Sequence, residues 1–303
     1  MSNVFTFLKG LAMGAADVVP GVSGGTIAFI TGIYDTLLES IRRINPSLIP
    51  LWRKQGTRAV LTHINAGFLI VLLTGILTSI LTLARVITWM LHTHPIPLWS
   101  FFFGLILISA VHMFKQVQHW RASRIVSIIA GAVFAYGITV LHPVDMAPTS
   151  INIVLAGSIA ICAMILPGIS GSFILLLLGM YGPILTAAKS LQLGILGLFA
   201  TGCVLGLLCF SHILSWLLRH YRDLTLTFLT GLMLGTLNKV WPWKETISWR
   251  TNSSGEQVPL LEHNLSPFSF EQVTGQPALL SYAVIAMLLG IVLVWGLEKF
   301  AAD

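Results

Sequence analysis

Two short stretches of this chain combine helix-breaking residues with hydroxyl groups, and both lie inside apolar sequence. The first is Pro20-Gly21-Val22-Ser23-Gly24-Gly25-Thr26, and Pro167-Gly168-Ile169-Ser170-Gly171-Ser172-Phe173 follows it at an offset of 147 residues. In each stretch the Pro-Gly pair ends one helix and the serine is suited to cap the next. The N–H groups and the dipole at the new helix start would then favour an anion, such as a phosphate or a carboxylate.

The two motifs therefore predict an anion site at each break. Glycine lets an anion approach the backbone closely, and the hydroxyl groups add donors. The predicted phosphate ligands are Ser23, Gly24, Gly25, Thr26, Ser170, Gly171 and Ser172, and the predicted hairpin breaks are Pro20, Gly21, Pro167 and Gly168. The alternative is a packing kink in which glycines allow helices to approach each other. Recurrence of the motif favours the ligand site.

Four ionisable residues in or beside apolar segments could act on such an anion. Arg85 is the only Lys or Arg inside a predicted span, and His212 is its counterpart in the second half, so both are predicted phosphate ligands. Asp17 precedes the first motif and Asp35 follows it, and both are predicted coupling residues. Snorkelling is the alternative for Arg85, and a helix-end carboxylate bonded to local N–H groups is the alternative for Asp17.

Composition places these residues in a membrane protein. The chain has 303 residues, of which 55% are hydrophobic and only 9% are charged, and its mean hydropathy is +0.87. Soluble domains carry about 25% charged residues. No basic run with interleaved aromatic residues suggests nucleic-acid binding, and no Walker motif or dinucleotide fingerprint is present. The histidines and three cysteines lack metal-ligand spacing, so we expect no metal, no cofactor and no catalytic residues.

The apolar segments predict an all-α polytopic membrane protein. Two re-entrant helical hairpins are expected, at residues 4–40 and 150–189, because their arms are short and interrupted. The second arm of each is expected to be one helix. The remaining predicted spans are residues 64–91, 98–116, 124–141, 193–218, 224–240 and 279–298. Residues 41–63 are predicted to be a basic polar loop, and residues 243–277 a polar extracytoplasmic loop with turn formers at 252–255.

The order of one hairpin and three spans occurs twice, in residues 1–145 and 146–303. At an offset of 127, Gly75 matches Gly202 and Gly104 matches Gly231. Three spans is an odd number, so the halves are predicted to be inverted-topology repeats, as in many secondary transporters. Twelve of the 17 Lys and Arg fall on one side, four on the other, and Arg85 lies within a span. This bias predicts cytoplasmic N- and C-termini. A hairpin tip should then lie at a depth similar to Arg85, and the other near His212.

The stretch from Gly14 to Thr26, with Gly32-Ile33-Tyr34-Asp35 and Leu166 to Ser172, resembles the bacterial polyprenyl-phosphate transporter family. The resemblance covers essentially the whole chain. It implies a multi-pass inner-membrane translocase, not an enzyme, that returns undecaprenyl phosphate from the outer to the inner leaflet for cell-wall synthesis. Its implied partners are this lipid and the surrounding membrane lipids. An interior-negative membrane potential opposes the inward movement of an anion. Coupling to protons or cations is therefore expected, with Asp17 as the residue that carries the proton. The sequence does not specify an oligomeric state.

Two alternative functions share some of these features. The motif also looks like the Pro-Gly-x-Ser-Arg-Ser loop of membrane-embedded undecaprenyl-pyrophosphate phosphatases, but Gly24 and Gly171 replace the arginine. No nearby pair of intramembrane glutamates is present to act as acid and base. A small-anion transporter that uses the same half-sites is the second alternative.

Overall fold

The computed structural model describes residues 3–19, 22–141, 143–144, 146–251 and 257–302. These residues form fourteen helices and one two-stranded sheet. The helices of the first half are α1 (Asn3–Val18), α2 (Gly24–Ile30), α3 (Tyr34–Arg42), α4 (Leu48–His63), α5 (Ala66–Thr93), α6 (Pro95–Gln116) and α7 (Ala122–Val140). The second half contains α8 (Ser150–Ile165), α9 (Gly171–Leu177), α10 (Tyr181–Lys189), α11 (Leu193–His220), α12 (Arg222–Thr236), β1 (Lys244–Thr251), β2 (Gln257–Asn264), α13 (Pro267–Thr274) and α14 (Leu280–Ala302).

Four of the described helices are long and apolar enough to cross a membrane. They are α5, α6, α7 and α11, and the bent pair of α9 and α10 would count as a fifth span. The prediction of a helical polytopic membrane protein is confirmed at this level. Helices also occupy the predicted spans 224–240 and 279–298. Of these, α12 has only 15 residues, about 22 Å at 1.5 Å per residue, and Leu226, Leu229, Leu232 and Met233 on it are buried in the core.

The fold is mostly helical, but the polar stretch 243–277, which was predicted to be a loop, contains a small sheet. Strands β1 and β2 pair antiparallel there, with Lys244 opposite Asn264 and Trp249 opposite Pro259, and α13 follows. β-Branched and aromatic residues occur along β1, as strands favour. The predicted turn formers at 252–255 lie outside the described residues. The basic stretch 41–63 is also not simply a loop, because it contains α4. That helix has no buried residue and is kinked at Gly56, so it lacks the apolar stripe by which a helix is recognised.

Each hairpin contains a second break that was not predicted. The arm expected to run from Gly24 to Ser40 is divided into α2 and α3 at Gly32, whose φ is +69°. Its amide donates to Phe29 O, and the Ile33 amide donates to Ala28 O. This is the Schellman arrangement, in which a glycine takes the left-handed position after a helix. The same bonds recur at Gly179, where φ is +71° and α9 meets α10 at 112°.

Helices α1 and α5 pack through glycines, and α8 and α11 pack in the same way. A Cβ added at Gly10 would lie less than 3.0 Å from the Leu72 carbonyl oxygen, and one at Gly157 equally close to the Phe199 carbonyl oxygen. These positions correspond at offsets of 147 and 127. Gly10 lies against Leu72, and Gly14, one turn later in α1, lies against Ile76, one turn later in α5. The two helices therefore run in the same direction. The chain between them thus reverses its direction before α5 begins.

The central helices pair across the two halves of the chain. Helix α6 packs on α14 and α7 packs on α12, while α6 and α12 also meet. A Cβ at Gly104 would collide with the Met287 carbonyl oxygen, and a Cβ at Gly231 with the Ile128 carbonyl oxygen. Gly104 and Gly231 match at the offset of 127. The contact of α6 with α14 and the contact of α12 with α7 are therefore of the same kind. These pairs enclose the main core, in which α2 lies with all seven of its residues buried.

Candidate functional site

The first hairpin tip is closed by its own side chains. Pro20 and Gly21, the predicted break, lie outside the described residues. Ser23 caps α2 with extended backbone angles, and its Oγ accepts from the Gly25 amide at 3.0 Å. The Asp17 carboxylate accepts from the Gly24 amide at 2.7 Å, and the Thr26 amide donates to Ser23 O at 3.0 Å. The first amides of α2 are thus already bonded, and the Asp17 carboxylate lies where an anion was predicted.

This tip also contacts the end of α8 in the second hairpin. Ser23 Oγ donates to the Met164 carbonyl oxygen at 2.8 Å, and the Gly168 amide donates to Thr26 Oγ1 at 2.9 Å. Both side chains are 0% exposed. Gly25 lies so close that an added Cβ would be 3.0 Å from Met164 O and nearer still to the Ile165 carbonyl oxygen. The two predicted motifs therefore meet in the interior. We call this contact between α2 and the end of α8 the hairpin junction.

A buried tyrosine adds a further bond to the hairpin junction. Tyr34 begins α3, just after the second break, and its hydroxyl donates to the Ile165 carbonyl oxygen at 3.1 Å. Its ring packs against Phe29 with the centroids 5.3 Å apart. In the sequence, Tyr34 appeared only as part of the motif Gly32-Ile33-Tyr34-Asp35, with no contact predicted for it. The bond holds the second break of the first hairpin, at Gly32, against the end of α8.

The second tip is arranged differently. Ser170 precedes α9 but does not cap it with its side chain, and its hydroxyl lies 2.8 Å from the hydroxyl of Ser172. Pro167 is buried, and Gly168 has a φ of +91° that favours glycine. Gly171 is buried against Ala160 of α8. The second tip thus carries no counterpart of the Asp17 carboxylate.

A lysine that the sequence did not single out lies beside the second tip. Lys239 lines a small cavity together with Gly168, Ser170 and Phe173. Its Nζ is 5.4 Å from the centre of the Phe173 ring and 2.9 Å from Glu262 Oε2 on β2. Lys239 follows α12 at the end of the predicted span 224–240, and Glu262 comes from strand β2, which was not predicted. No local pattern links these two residues to the tip.

The β-hairpin holds Lys239 through a second, buried lysine. Lys244 Nζ donates to the Lys239 carbonyl oxygen at 2.6 Å, lies 3.6 Å from Glu262 and sits 4.3 Å from the centre of the Trp99 ring. Burial lowers the pKa of Lys244 to about 8, although the Glu262 carboxylate opposes that shift. Burial alone would raise the pKa of Glu262, but the two lysines outweigh it and lower that pKa. The ion pairs of Lys239 and Lys244 with Glu262 therefore fix the β-hairpin beside the second tip.

Arg85 and His212 are not brought to the tips. Arg85 is exposed on a face of α5 that also carries Leu81 and Trp89. His212 is exposed on the corresponding face of α11, and its Nδ1 is 2.7 Å from the Leu208 carbonyl oxygen. In the described residues, no hydrogen bond or ion pair joins either side chain to a tip. They lie on surfaces that apolar side chains otherwise present to lipid.

Asp35 lies at an open cavity of about 520 Å³ between α3, α11 and α12. Its Oδ2 is 3.2 Å from Arg222 Nη1. On the same helix, Glu39 pairs with Arg42 at 2.7 Å and with Arg219 of α11. The structure thus joins Asp35 to the start of α12, and it is not placed at the hairpin junction. The ion pairs of Arg219 and Arg222 with α3 were not foreseen, because the sequence separation is about 180 residues.

These features define a multi-pass helical membrane protein in which two interrupted hairpins meet in the interior. The chain belongs to the undecaprenyl phosphate translocase-like family (VCA0040-like), which it matches over residues 13–258. It is 69% identical over 301 residues to a protein of Vibrio cholerae named polyprenyl-phosphate transporter, covering 99% of this chain and 98% of that protein. It is 32% identical over 259 residues to a Staphylococcus aureus protein with the same name, covering 78% and 85%. No solved structure matches the chain.

The family confirms the resemblance drawn from the motifs. Its description and the names of both relatives specify transport or translocation, not catalysis. The expectation that the chain is not an enzyme is therefore confirmed.

Proposed function

We propose that this protein is a translocase that moves undecaprenyl phosphate from the outer to the inner leaflet of the bacterial cytoplasmic membrane, so that the carrier lipid is used again. The observation that carries the proposal is the hairpin junction, where two interrupted helices meet in the core through serine, threonine and backbone groups. Irregular backbone at membrane depth is tolerated where it lines a site or is enclosed by protein. The names of the two relatives support a polyprenyl phosphate as the substrate.

The proposed architecture is a pair of inverted repeats that alternate access to this junction. Support comes from the close glycine contacts, which are made once by α1 with α5 and again by α8 with α11. Three predicted spans follow each hairpin, so the second half would have the opposite orientation. The Lys and Arg distribution supports cytoplasmic N- and C-termini.

The headgroup is proposed to bind at the hairpin junction with its apolar tail in the lipid. Its ligands would be the tip residues Ser23, Gly24, Gly25, Thr26, Ser170, Gly171 and Ser172. Because Asp17 holds the Gly24 amide, the phosphate must displace the carboxylate before it can take that donor. Two anions repel each other, so protonation of Asp17 favours the exchange. Arg85 and His212 would contact the headgroup only as it approaches from the lipid side.

Asp17 is therefore the proposed coupling residue. Moving a net negative charge inward against the membrane potential costs about 2.3 kcal/mol per 100 mV. A proton carried on Asp17 would cancel one charge during the inward step. Asp35, which is bonded to Arg222 at the cavity, is the second proposed coupling residue.

Reconstitution of the purified protein in liposomes tests the function. An impermeant phosphatase added outside hydrolyses only lipid phosphate in the outer leaflet, so translocation extends hydrolysis to the whole pool. We expect an imposed pH gradient to change the rate, and Asp17→Asn, which preserves an acceptor for Gly24, to remove that response. Transport that ignores the gradient in the wild-type protein would refute proton coupling. Absence of any transport would refute the function.

A further inference from the structure

The open cavity between α3, α11 and α12 has the shape and charge of an anion site. Its volume is about 520 Å³, and three guanidinium groups line it, from Arg43, Arg219 and Arg222. Two carboxylates, Asp35 and Glu39, share the lining, so the arginines leave one positive charge in excess. Uncharged polar groups complete the wall, namely Thr36, Ser40, Asn65 and Ser215. We call this site the basic cavity.

We propose that the basic cavity binds a phosphate monoester group, which displaces Asp35 and Glu39 from Arg222 and Arg219. The inference rests on the proposed function, because it makes the cavity the place where the headgroup leaves or enters on the side of α3. Arginine matches a phosphate well, since its planar fork makes two parallel charge-assisted hydrogen bonds. Two arginines on neighbouring helix ends could hold one phosphate between them.

The existing ion pairs are suited to exchange. The side chains of Asp35, Arg219 and Arg222 are each more than half exposed, at 57%, 53% and 51%. Exposed ion pairs contribute little to stability, because water and salt screen them. A dianionic phosphate offers more charge and more acceptor atoms than the single carboxylate it replaces. Arg219 and Arg222 can therefore change partner, while Glu39, which is 27% exposed, keeps its pairs with Arg42 and Arg43.

The same ion pairs join the two halves of the chain. Asp35 and Glu39 lie on the first hairpin, whereas Arg219 and Arg222 lie at the junction of α11 and α12. A phosphate that takes these arginines would release α3 from α11. Binding of the headgroup and loosening of this contact would thus be one event.

Among the residues that the structure describes, the other half has no equivalent of the basic cavity. The counterparts of Asp35 and Glu39 are Gly182 and Thr186, and the counterpart of Arg222 is Pro95. In the described residues, α10 makes no contact with α5 comparable to that of α3 with α11. The two ends of a transport path built on this fold would differ, and only one would hold the phosphate by arginines.

Opposite effects of two double variants test the assignment. Binding of geranyl phosphate, a short soluble isoprenyl monophosphate, is measured by calorimetry on the full chain in detergent. We expect Arg219→Ala/Arg222→Ala to weaken binding at least tenfold and Asp35→Asn/Glu39→Gln to strengthen it several-fold. Arg53→Ala/Lys54→Ala on α4, which removes two exposed charges outside the basic cavity, is expected to leave it unchanged. If the ion pairs only hold α3 against α11, both doubles break the same pairs and shift binding in one direction, which would overturn the proposal.

Further arms separate the sources of failure. If the alanine double does not fold, Arg219→Lys/Arg222→Lys preserves the charge but not the paired bonds, and it should still bind more weakly than the wild type. If inorganic phosphate competes with geranyl phosphate, the site recognises the phosphate group. If it does not compete, the protein recognises the isoprenyl tail, and the role proposed for the arginines is overturned. Liposome transport by the wild-type protein is measured in parallel. If the wild-type protein does not transport the lipid, the proposed function is refuted. If it does transport the lipid, but both double variants change geranyl phosphate binding in the same direction, only the present inference is refuted.

Discussion

The hairpin junction makes a quantitative prediction for Gly25→Ala. The Cβ would lie 3.0 Å from Met164 O and nearer still to Ile165 O, and both are backbone atoms that cannot turn aside. Overpacking of this kind costs about 1–3 kcal/mol, against which alanine in a helix regains at most about 1 kcal/mol. A net cost of up to about 2 kcal/mol lowers the ratio of closed to open junction by up to about 30-fold. If transport passes through this closed state, its rate falls by a similar factor.

The matched control is Gly182→Ala, on α10 of the second hairpin. Nothing lies within 4 Å of a Cβ added there, so this variant makes the same chemical change without the collision. Lipid-phosphate transport in liposomes and the midpoint of thermal unfolding are measured for both. If the Gly25→Ala and Gly182→Ala variants both transport the lipid at the wild-type rate, the junction does not need to close for transport.

Three further predictions follow from contacts at other places. Ser23→Ala removes two buried bonds and leaves Met164 O without its donor, so it should cost about 1–3 kcal/mol in a denaturant titration, whereas the exposed Ser190→Ala should be neutral. Gly104→Ala and Gly231→Ala meet matching backbone atoms, so they should lower the unfolding midpoint by similar amounts, and a large difference would contradict the equivalence of the two contacts. Because burial lowers the pKa of Lys244 to about 8, the unfolded chain holds this proton more tightly. The free energy of unfolding should therefore rise between about pH 8 and 10.5, by at most about 3 kcal/mol, and Lys244→Met should lose this rise when unfolding is followed across that range.

The motif positions were predictable because helix breakers act locally. Pro-Gly and a following serine interrupt a helix wherever they occur, and the repeat offset identified Gly75 with Gly202 and Gly104 with Gly231. The structure gives all four glycines close contacts with a neighbouring helix. Gly32 and Gly179 also correspond at the offset of 147, but their left-handed backbone was not inferred, since glycine also occurs within helices for packing.

The orientation of Arg85 and His212 could not be predicted from the same patterns. Along a membrane helix both the core face and the lipid face are apolar, so hydropathy does not distinguish them. The depth of a charged residue can be estimated from its position in a span, but the face it occupies depends on which helix packs beside it. Lys239 and Glu262 escaped notice for a related reason, because a strand distant in sequence brings them to the second tip.

The crossed pairing of the central helices has a consequence for biogenesis. Helices α6 and α7 leave the ribosome before α12 and α14, which cover their glycine faces. During synthesis these faces lack their partner helices until α12 and α14 are inserted, so lipid or an insertion chaperone has to cover them. Helices α1 and α5, by contrast, can associate as soon as both are inserted. Maturation is therefore expected to depend on the last helix, and quality control would have an unpaired α6 to recognise when α14 fails to insert.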